Sequence, residues 1–299
     1  MTPDLVFSLP GNEAMAERLA SRLGAETGVI ETRRFPDGES YVRLVTPVAG
    51  RRVLLVCTLD RPDAKFLPLI FAAATARELG AAEVILAAPY LAYLRQDRRF
   101  RAGEAVTSRH AAKLLGGAFD RLVCIDPHLH RYHDLAEIFA IPALALHAAP
   151  LLASWIAASV EDPFLIGPDR ESEQWVGAVA ARAGAPFAVL EKVRHGDREV
   201  EIRAHDLGKI GRRTPVLIDD IVSSGRTMLE AVRLLRRSTQ APPVCLAVHG
   251  LFSEGADLAL EAAGATLATC NTVCHASNAI DVSGLLASGL RSCSATEPA

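Results

Sequence analysis

The alternation of strand-like and helix-like segments along the chain constrains its fold more than any other feature. Short apolar runs rich in branched residues are typical of buried parallel strands, and apolar residues three and four positions apart are typical of amphipathic helices. Such alternation predicts an α/β fold of mainly parallel sheets flanked by helices, with sites at the carboxyl ends of the strands. The predicted strands cover residues 52–57, 83–88, 121–125, 143–146, 163–166, 187–190, 215–218 and 244–248. The predicted helices cover residues 12–23, 68–79, 108–115, 151–160, 173–183 and 227–237.

The length of the chain and an internal echo indicate two similar domains. The 299 residues, half of them apolar, are enough for two hydrophobic cores. Residues 123–126 and 216–219 both run an apolar strand into an aspartate, which suggests a repeated unit. We predict an N-terminal domain over residues 1–147, a C-terminal domain over residues 148–290, and a tail over residues 291–299.

Charge and cysteine content narrow the possible function classes. A net charge of −3 with intermixed signs, and 5% aromatic residues, argue against a nucleic-acid partner. Two prolines and a histidine interrupt the apolar stretch 138–160, which predicts a strand and a helix and not a membrane span. The N-terminus lacks a signal-peptide pattern, no C-x-x-C occurs, and Cys270, Cys274 and His275 lack a fourth metal ligand. We expect a reduced cytoplasmic protein with no membrane partner.

The segment over residues 216–228 carries the most chemistry. Its predicted strand ends in Asp219 and Asp220, and a short loop leads into a helix. Free backbone N–H groups at a helix start, with hydroxyl groups, can bind a phosphate monoester, and a glycine lets the backbone approach closely. The carboxylates would repel phosphate but suit ribose hydroxyls, or a divalent cation that bridges them to another phosphate. A plain turn with a serine N-cap and a surface aspartate pair is the alternative, which the combination disfavours. The loop consists of Ser223, Ser224, Gly225, Arg226 and Thr227.

This segment resembles the phosphoribosyl pyrophosphate loop that phosphoribosyltransferases share with phosphoribosyl pyrophosphate synthetases. The turn with Phe35, Asp37 and Glu39 separates the two families, because it resembles the first signature of the synthetases. In that family the turn supplies an aromatic face and acidic contacts to the adenine of ATP across a subunit boundary. Considered alone, its Pro-Asp-Gly sequence predicts a surface hairpin.

The segment over residues 89–101 resembles the ATP-binding segment of the synthetases. It contains Arg95, Gln96 and Asp97 among several arginines, whose planar guanidinium groups suit polyphosphate. In isolation a solvated charged loop would be an equally good interpretation.

Three further motifs follow the family order. His128 occupies the position of the histidine that the family places near magnesium and triphosphate, whereas His130 and His133 are expected to be structural. Asp169 matches the magnesium-facing aspartate, although Arg170-Glu171-Ser172 replaces the glycine-rich continuation found in most synthetases. Lys192 and Arg194 match the two cations that open the family's catalytic flap and stabilise charge on the transferred phosphoryl group.

The resemblance implies two phosphoribosyltransferase-like domains and a ribose-phosphate diphosphokinase. This enzyme would convert ATP and ribose 5-phosphate into AMP and 5-phosphoribosyl 1-pyrophosphate, with Mg²⁺ as cofactor, in a dimer-based homo-oligomer as large as a hexamer. Three alternatives stay open: a phosphoribosyltransferase, a related enzyme with another sugar phosphate or phosphate donor, and a catalytically silent subunit of the same fold. The silent subunit is disfavoured because Lys192, Arg194, Asp219 and Asp220 are all present.

Overall fold

The computed structural model describes residues 2–168, 172–195, 199–203 and 210–292, with the backbone alone at residues 174, 191–195 and 199–203. The chain divides into two compact units. Unit 1 contains Met1–Leu146 and the segment from Val282 onward, and unit 2 contains His147–Asp281.

Unit 1 is built on a six-stranded parallel sheet. The strand order is β2-β1-β5-β6-β7-β8, and the antiparallel hairpin β3–β4 stands apart from this sheet. The strands are β1 Leu5–Ser8, β2 Glu26–Thr27, β3 Ile30–Arg34, β4 Ser40–Leu44, β5 Arg52–Val56, β6 Glu83–Ala88, β7 Arg121–Ile125 and β8 Ala143–Leu146. The helices are α1 Glu13–Leu23, α2 Asp63–Glu78, α3 Thr107–Ala118 and, from the end of the chain, α8 Ser283–Ser292.

Unit 2 repeats this plan. Its six-stranded parallel sheet has the order β10-β9-β13-β14-β15-β16, and the antiparallel hairpin β11–β12 again stands apart. The strands are β9 Pro163–Gly167, β10 Phe187–Val189, β11 Glu191–His195, β12 Glu199–Arg203, β13 Thr214–Val222, β14 Val244–Gly250, β15 Thr266–Cys270 and β16 Asn278–Ile280. The helices are α4 Ala149–Ser159, α5 Glu173–Ala183, α6 Arg226–Ser238 and α7 Ala256–Ala262.

The two strand orders establish which elements correspond. Strand β13 takes the place of β5, β15 takes the place of β7, and the hairpin β11–β12 takes the place of β3–β4. The prediction of two similar α/β halves is therefore right. The internal similarity used to support it is wrong. Residues 123–126 lie at the end of β7 and residues 216–219 lie in β13, and these two strands are not equivalent.

Helix α8 packs on unit 1, where it contacts α1, β7 and β8. Arg22 Nε in α1 donates a hydrogen bond to Ser283 Oγ at 2.9 Å, and Arg291 Nη1 donates to the Arg22 carbonyl at 2.9 Å. The sequence prediction instead placed residues 148–290 in the second domain. The sequence of a helix does not indicate which sheet the helix packs on. The packing of α8 on unit 1 could therefore not be predicted from its sequence.

The central strands β5, β6, β7, β9 and β14 are almost entirely buried, as their apolar runs predict, whereas β8 is only half-buried. Cys57 and Cys124 lie among them with no exposed surface, and burial raises the pKa of the Cys57 thiol to about 12. The apolar stretch 138–160 forms β8 and α4, with Pro150 in the first turn of the helix. Within the described ranges, no helix is long and apolar enough to span a bilayer.

Helix α2 begins five residues before the predicted start because it continues through Pro68. Proline has no N–H group, so the carbonyl four residues earlier loses its helical donor. That carbonyl belongs to Ala64, and it accepts a hydrogen bond from Arg34 Nη2 at 3.1 Å. Arg34, at the end of β3, is thus bound to α2 through the carbonyl that Pro68 leaves without a helical donor.

Candidate active site

The segment from β13 to α6 forms the predicted sugar-phosphate loop. The strand is longer than predicted, because it continues past Asp219 and Asp220 to Val222. Both carboxylates are half-buried, and Asp219 Oδ1 accepts a hydrogen bond from the Asp220 backbone N–H at 2.9 Å. A strand that runs on beyond the pair holds both carboxylates on a fixed backbone at the edge of the loop.

Gly225 makes the turn between the loop and α6. Its φ of +64° lies in the left-handed region, and a Cβ there would come within 3.0 Å of Ala256 Cβ. It is also the N-cap residue of α6, and glycine has no side chain with which to cap the helix. The alternative of a serine N-cap is therefore wrong, and the helix start is available to a ligand anion.

A second segment, Leu251 to Gly255, supports this loop. Val222 O accepts hydrogen bonds from the N–H groups of Leu251 at 2.9 Å and Phe252 at 3.1 Å, and Ser223 O accepts one from Ser253 at 3.0 Å. The Ser223 and Ser253 hydroxyl oxygens lie 3.3 Å apart. We call this segment the support segment. No local pattern in the sequence marked it, because most of its hydrogen bonds to the end of β13 and the loop come from the backbone.

The corresponding loop of unit 1 is filled by the protein's own groups. Lys65 Nζ donates to the Thr58 carbonyl at 3.0 Å and pairs with Asp60. Asn12 Oδ1 accepts a hydrogen bond from the Thr58 N–H at 2.7 Å. The loop of unit 1 thus holds an internal amine, whereas the loop of unit 2 ends in a glycine N-cap.

The predicted catalytic cations lie on the hairpin β11–β12. Lys192 pairs with Ile202 and Arg194 with Val200 in the antiparallel register. Lys192 and Arg194 are thus two positions apart in the backbone of β11. Asp169, the predicted magnesium-facing residue, lies outside the described residues.

The hairpin β3–β4 of unit 1 carries the aromatic turn. Its predicted surface position is observed: Phe35 is 39% exposed, and the Arg33 guanidinium carbon lies 4.4 Å from its ring centroid and 4.3 Å from that of Tyr41. Asp37 Oδ1 accepts a hydrogen bond from the Glu39 N–H at 3.2 Å and so stabilises the turn itself. An exposed aromatic face held by a cation is suited to stacking on a flat heterocycle.

The arginine-rich segment after β6 does not present all three of its predicted ligands in the same way. Arg95 is exposed and Gln96 is half-buried, with the Gln96 carbonyl accepting a hydrogen bond from the Ser108 N–H at 3.3 Å. The Asp97 side chain is 3% exposed and receives both of its hydrogen bonds from Arg131 Nη1, at 2.8 and 2.9 Å. Asp97 thus joins two loops inside the protein. Arg131 directly follows His130, but nothing in the sequence indicated that it would pair with Asp97.

The loop after β7 contains His128, the predicted neighbour of magnesium. Its ring lies edge-on to that of His130, with 4.1 Å between centroids. Asp126 is buried and has a φ of +33°. Across the described ranges, no group of three histidine, cysteine or acidic side chains forms a ready-made metal cage.

A half-buried polar cluster lies beside the support segment. His275 Nε2 is 3.2 Å from Asp257 Oδ2, and His275 Nδ1 is 2.8 Å from Ser277 Oγ. Hydrogen bonds from the Leu258 backbone and from His275 hold the pKa of Asp257 below its usual value. Sequence reasoning considered His275 only as a weak metal ligand and missed this cluster, because its members are separated along the chain.

Two family descriptions match the chain, and together they span both units. The first is the N-terminal domain of ribose phosphate pyrophosphokinase, over residues 5–118, and the second is the phosphoribosyl transferase domain, over residues 134–260.

Named relatives and a solved structure agree with these descriptions. The ribose-phosphate pyrophosphokinase of Methanopyrus kandleri is 37% identical over 263 residues, which cover 87% of this chain and 89% of that protein. The ribose-phosphate pyrophosphokinase of Saccharolobus solfataricus is 35% identical and covers 86% and 89%. The phosphoribosylpyrophosphate synthetase from Mycobacterium smegmatis superimposes with a TM-score of 0.84 at 24% identity, covering 97% of this chain and 98% of that one, which confirms the fold class. The chain belongs to the ribose-phosphate pyrophosphokinase family, as its motifs predicted.

Proposed function

We propose that this chain is a ribose-phosphate diphosphokinase that uses ATP and ribose 5-phosphate. The anomeric hydroxyl of the sugar attacks the β-phosphorus of ATP, AMP leaves, and 5-phosphoribosyl 1-pyrophosphate forms. The observation that carries the proposal is the loop from β13 to α6, which combines an uncapped helix start with two strand-held carboxylates. Family membership supports the same reaction.

Two kinds of group in this segment bind the two parts of the sugar phosphate. Backbone N–H groups and hydroxyls of the loop bind the 5-phosphate, since both donate hydrogen bonds to its oxygens. Asp219 and Asp220 accept hydrogen bonds from the ribose hydroxyls. Residues Ser223 to Thr227 are therefore proposed as the phosphate site, and the carboxylates fix the sugar ring relative to the incoming nucleotide.

The nucleotide contacts are proposed for unit 1, and two of the predicted residues change role. Phe35 stacks on the adenine, while Glu39, Arg95 and Gln96 make polar contacts to ATP. Asp97 is buried and paired, so we propose that it holds the arginine-rich segment in place and does not contact the nucleotide. The Asp37 side chain serves the turn in the same indirect way.

The donor set fits a magnesium ion that is completed by substrate. Mg²⁺ prefers oxygen ligands and usually binds through one or two carboxylates together with phosphates and waters. The half-buried Asp219 and Asp220 provide such oxygens in unit 2. On the family resemblance, we also propose His128 and Asp169 as residues that face magnesium. When bound, Mg²⁺ neutralises phosphate charge. Lys192 and Arg194 supply further positive charge to the transferred group.

The decisive assay measures AMP release from ATP with a panel of pentose phosphates. We expect AMP and 5-phosphoribosyl 1-pyrophosphate in equal amounts with ribose 5-phosphate. Release that prefers another sugar phosphate or donor would overturn the substrate assignment. Nucleobase-dependent consumption of the product, with no AMP release, would identify a phosphoribosyltransferase.

We also propose a dimer-based homo-oligomer of up to six subunits in the cytoplasm. Free thiols at five described cysteines support a reducing compartment. The exposed Phe35 turn supports an active site that a neighbouring subunit completes.

Subunit mixing tests the shared site. An inactive Phe35→Ala/Glu39→Gln variant mixed with an inactive Lys192→Ala variant should regain activity, because some sites would be intact on both sides. Exchange of subunits is first verified by mixing differently tagged chains. No recovery despite exchange, or an active monomer in sedimentation, would contradict the shared site.

A further inference from the structure

The support segment holds two residues in an unfavourable backbone conformation. Phe252 has a φ of +41° and Glu254 a φ of +59°, and both lie in the left-handed region that L side chains other than Asn and Asp rarely adopt. Such a conformation persists only where the surroundings enforce it. The same segment makes two backbone hydrogen bonds to Val222, directly before the sugar-phosphate loop, and one to Ser223, the first residue of the loop.

The Phe252 side chain is enclosed on two sides. Its ring centroid lies 4.5 Å from that of His275, with 43° between the planes. On the chain itself the ring approaches Gly250 so closely that a Cβ there would be 2.5 Å from Phe252 Cε2. The position of the Phe252 ring therefore depends on His275.

The His275 ring is itself fixed by hydrogen bonds. The Ser277 backbone N–H donates to His275 Nδ1 at 3.1 Å, and a backbone N–H can only donate, so Nδ1 carries no proton. The proton of the neutral ring is then on Nε2, which donates to Asp257 Oδ2 at 3.2 Å. The His275 backbone N–H donates to Asn278 Oδ1 at 3.0 Å. The ring thus has one orientation that satisfies both nitrogens.

These contacts form a continuous path from α7 to the phosphate loop. Asp257 and Ser277 orient His275, the His275 ring packs on Phe252, and the Phe252 N–H group binds Val222 O directly before the loop. We propose that His275 is a positioning residue for ribose 5-phosphate, acting through Phe252 on the sugar-phosphate loop. This inference rests on the proposed function of that loop. It differs from a catalytic role because His275 contacts the support segment and not the loop itself.

The expected effect is specific to one substrate. Loss of an aromatic pair changes an equilibrium by about 3- to 10-fold. His275→Ala should therefore raise the KM for ribose 5-phosphate by about that factor and leave the KM for ATP within about twofold. Phe252→Ala should do the same. Because both act through one contact, the double variant should be no worse than Phe252→Ala alone.

Two further variants control for indirect damage. Leu258→Ala removes a side chain that is 67% exposed on α7, next to Asp257, and should leave both KM values unchanged. His275→Phe retains a ring against Phe252 and should restore most of the sugar-phosphate affinity that His275→Ala loses. If His275→Ala does not fold, His275→Gln replaces it with the same expected shift, since it keeps a donor for Asp257 but loses the ring.

The outcomes separate the two proposals. If the unmodified enzyme forms no 5-phosphoribosyl 1-pyrophosphate, the proposed function fails whatever the variants do. If it is active and the variants change both KM values equally, or only lower the melting temperature, the positioning role is wrong. Additive effects of the Phe252 and His275 substitutions would also overturn it, because the residues would then act independently.

Discussion

Gly225 offers the sharpest test of the sugar-phosphate loop, because unit 2 contains a matched glycine away from the site. Gly225 has a φ of +64° and Gly184, at the end of α5, has a φ of +65°. An alanine in this conformation costs about 1 kcal/mol or somewhat more at either position. The two positions differ in their neighbours. A Cβ at 184 would meet nothing within 4 Å, whereas one at 225 would lie 3.0 Å from Ala256 Cβ.

The magnitudes follow from that difference. We expect Gly184→Ala to lower the melting temperature by about 2–4 °C, the shift that about 1 kcal/mol produces in a domain of this size. Gly225→Ala should cost about 2 kcal/mol in all if the backbone stays in place. If the backbone relaxes instead, the start of α6 moves and the loss appears as weaker binding of ribose 5-phosphate, by about tenfold for each 1.4 kcal/mol.

Thermal unfolding and calorimetric titration with ribose 5-phosphate distinguish these cases. Gly184→Ala should bind the sugar phosphate normally, whereas Gly225→Ala should be either less stable than it or a weaker binder. The double variant Gly225→Ala/Ala256→Gly, which removes the close contact, should recover part of the loss. If Gly225→Ala matches Gly184→Ala in both measurements, the close approach at this helix start has no role and the argument is refuted.

Four other substitutions test the remaining assignments. Lys192→Ala should reduce turnover by about 10²–10³ with the fold intact, because its charge acts mainly in the transition state; near-normal turnover of a folded variant would remove it from the mechanism. Asp220→Asn keeps the side-chain shape but removes the charge, so ribose 5-phosphate titration should show much weaker binding while ATP binding is retained; unchanged sugar-phosphate affinity would refute the loop assignment. Arg131→Met should destabilise the protein by about 2–4 kcal/mol, because it leaves the Asp97 carboxylate, which is 3% exposed, without its cation. Asp97→Asn should destabilise it less, because the Arg131 side chain is 44% exposed and water can solvate it. Equal losses in urea unfolding would contradict that asymmetry.

The sequence predicted best what depends on local periodicity. Helix α5 begins and ends where the pattern placed it, and the strands before the sugar-phosphate loop and the arginine-rich segment were found because buried parallel strands are short apolar runs. Although their binding roles stay predictions, motif residues near the carboxyl ends of the strands could also be recognised from the sequence. Their position at the sheet edge is a consequence of the parallel topology.

The interpretations that needed tertiary information were less complete. Asp97 has the residue type of a ligand, yet its carboxylate is buried against Arg131, 34 positions away. The partnership of Phe252 with His275 depends on two loops that the sheet brings together. The start of α2 was misplaced because proline usually begins a helix, whereas Pro68 is accommodated by a donor from a neighbouring hairpin.

That accommodation has a consequence for engineering this protein. By helix propensity, Pro68→Ala is an obvious stabilising change, since an interior proline costs about 3 kcal/mol. The new N–H group would compete with Arg34 for the Ala64 carbonyl, so the hairpin that carries Phe35 would lose part of its attachment. The Ala64 carbonyl oxygen can therefore favour either a more stable helix or a firmly attached hairpin. We expect Pro68→Ala to raise the melting temperature while it weakens ATP binding and speeds amide hydrogen exchange in the hairpin, and unchanged exchange there would show that the attachment does not depend on the missing donor.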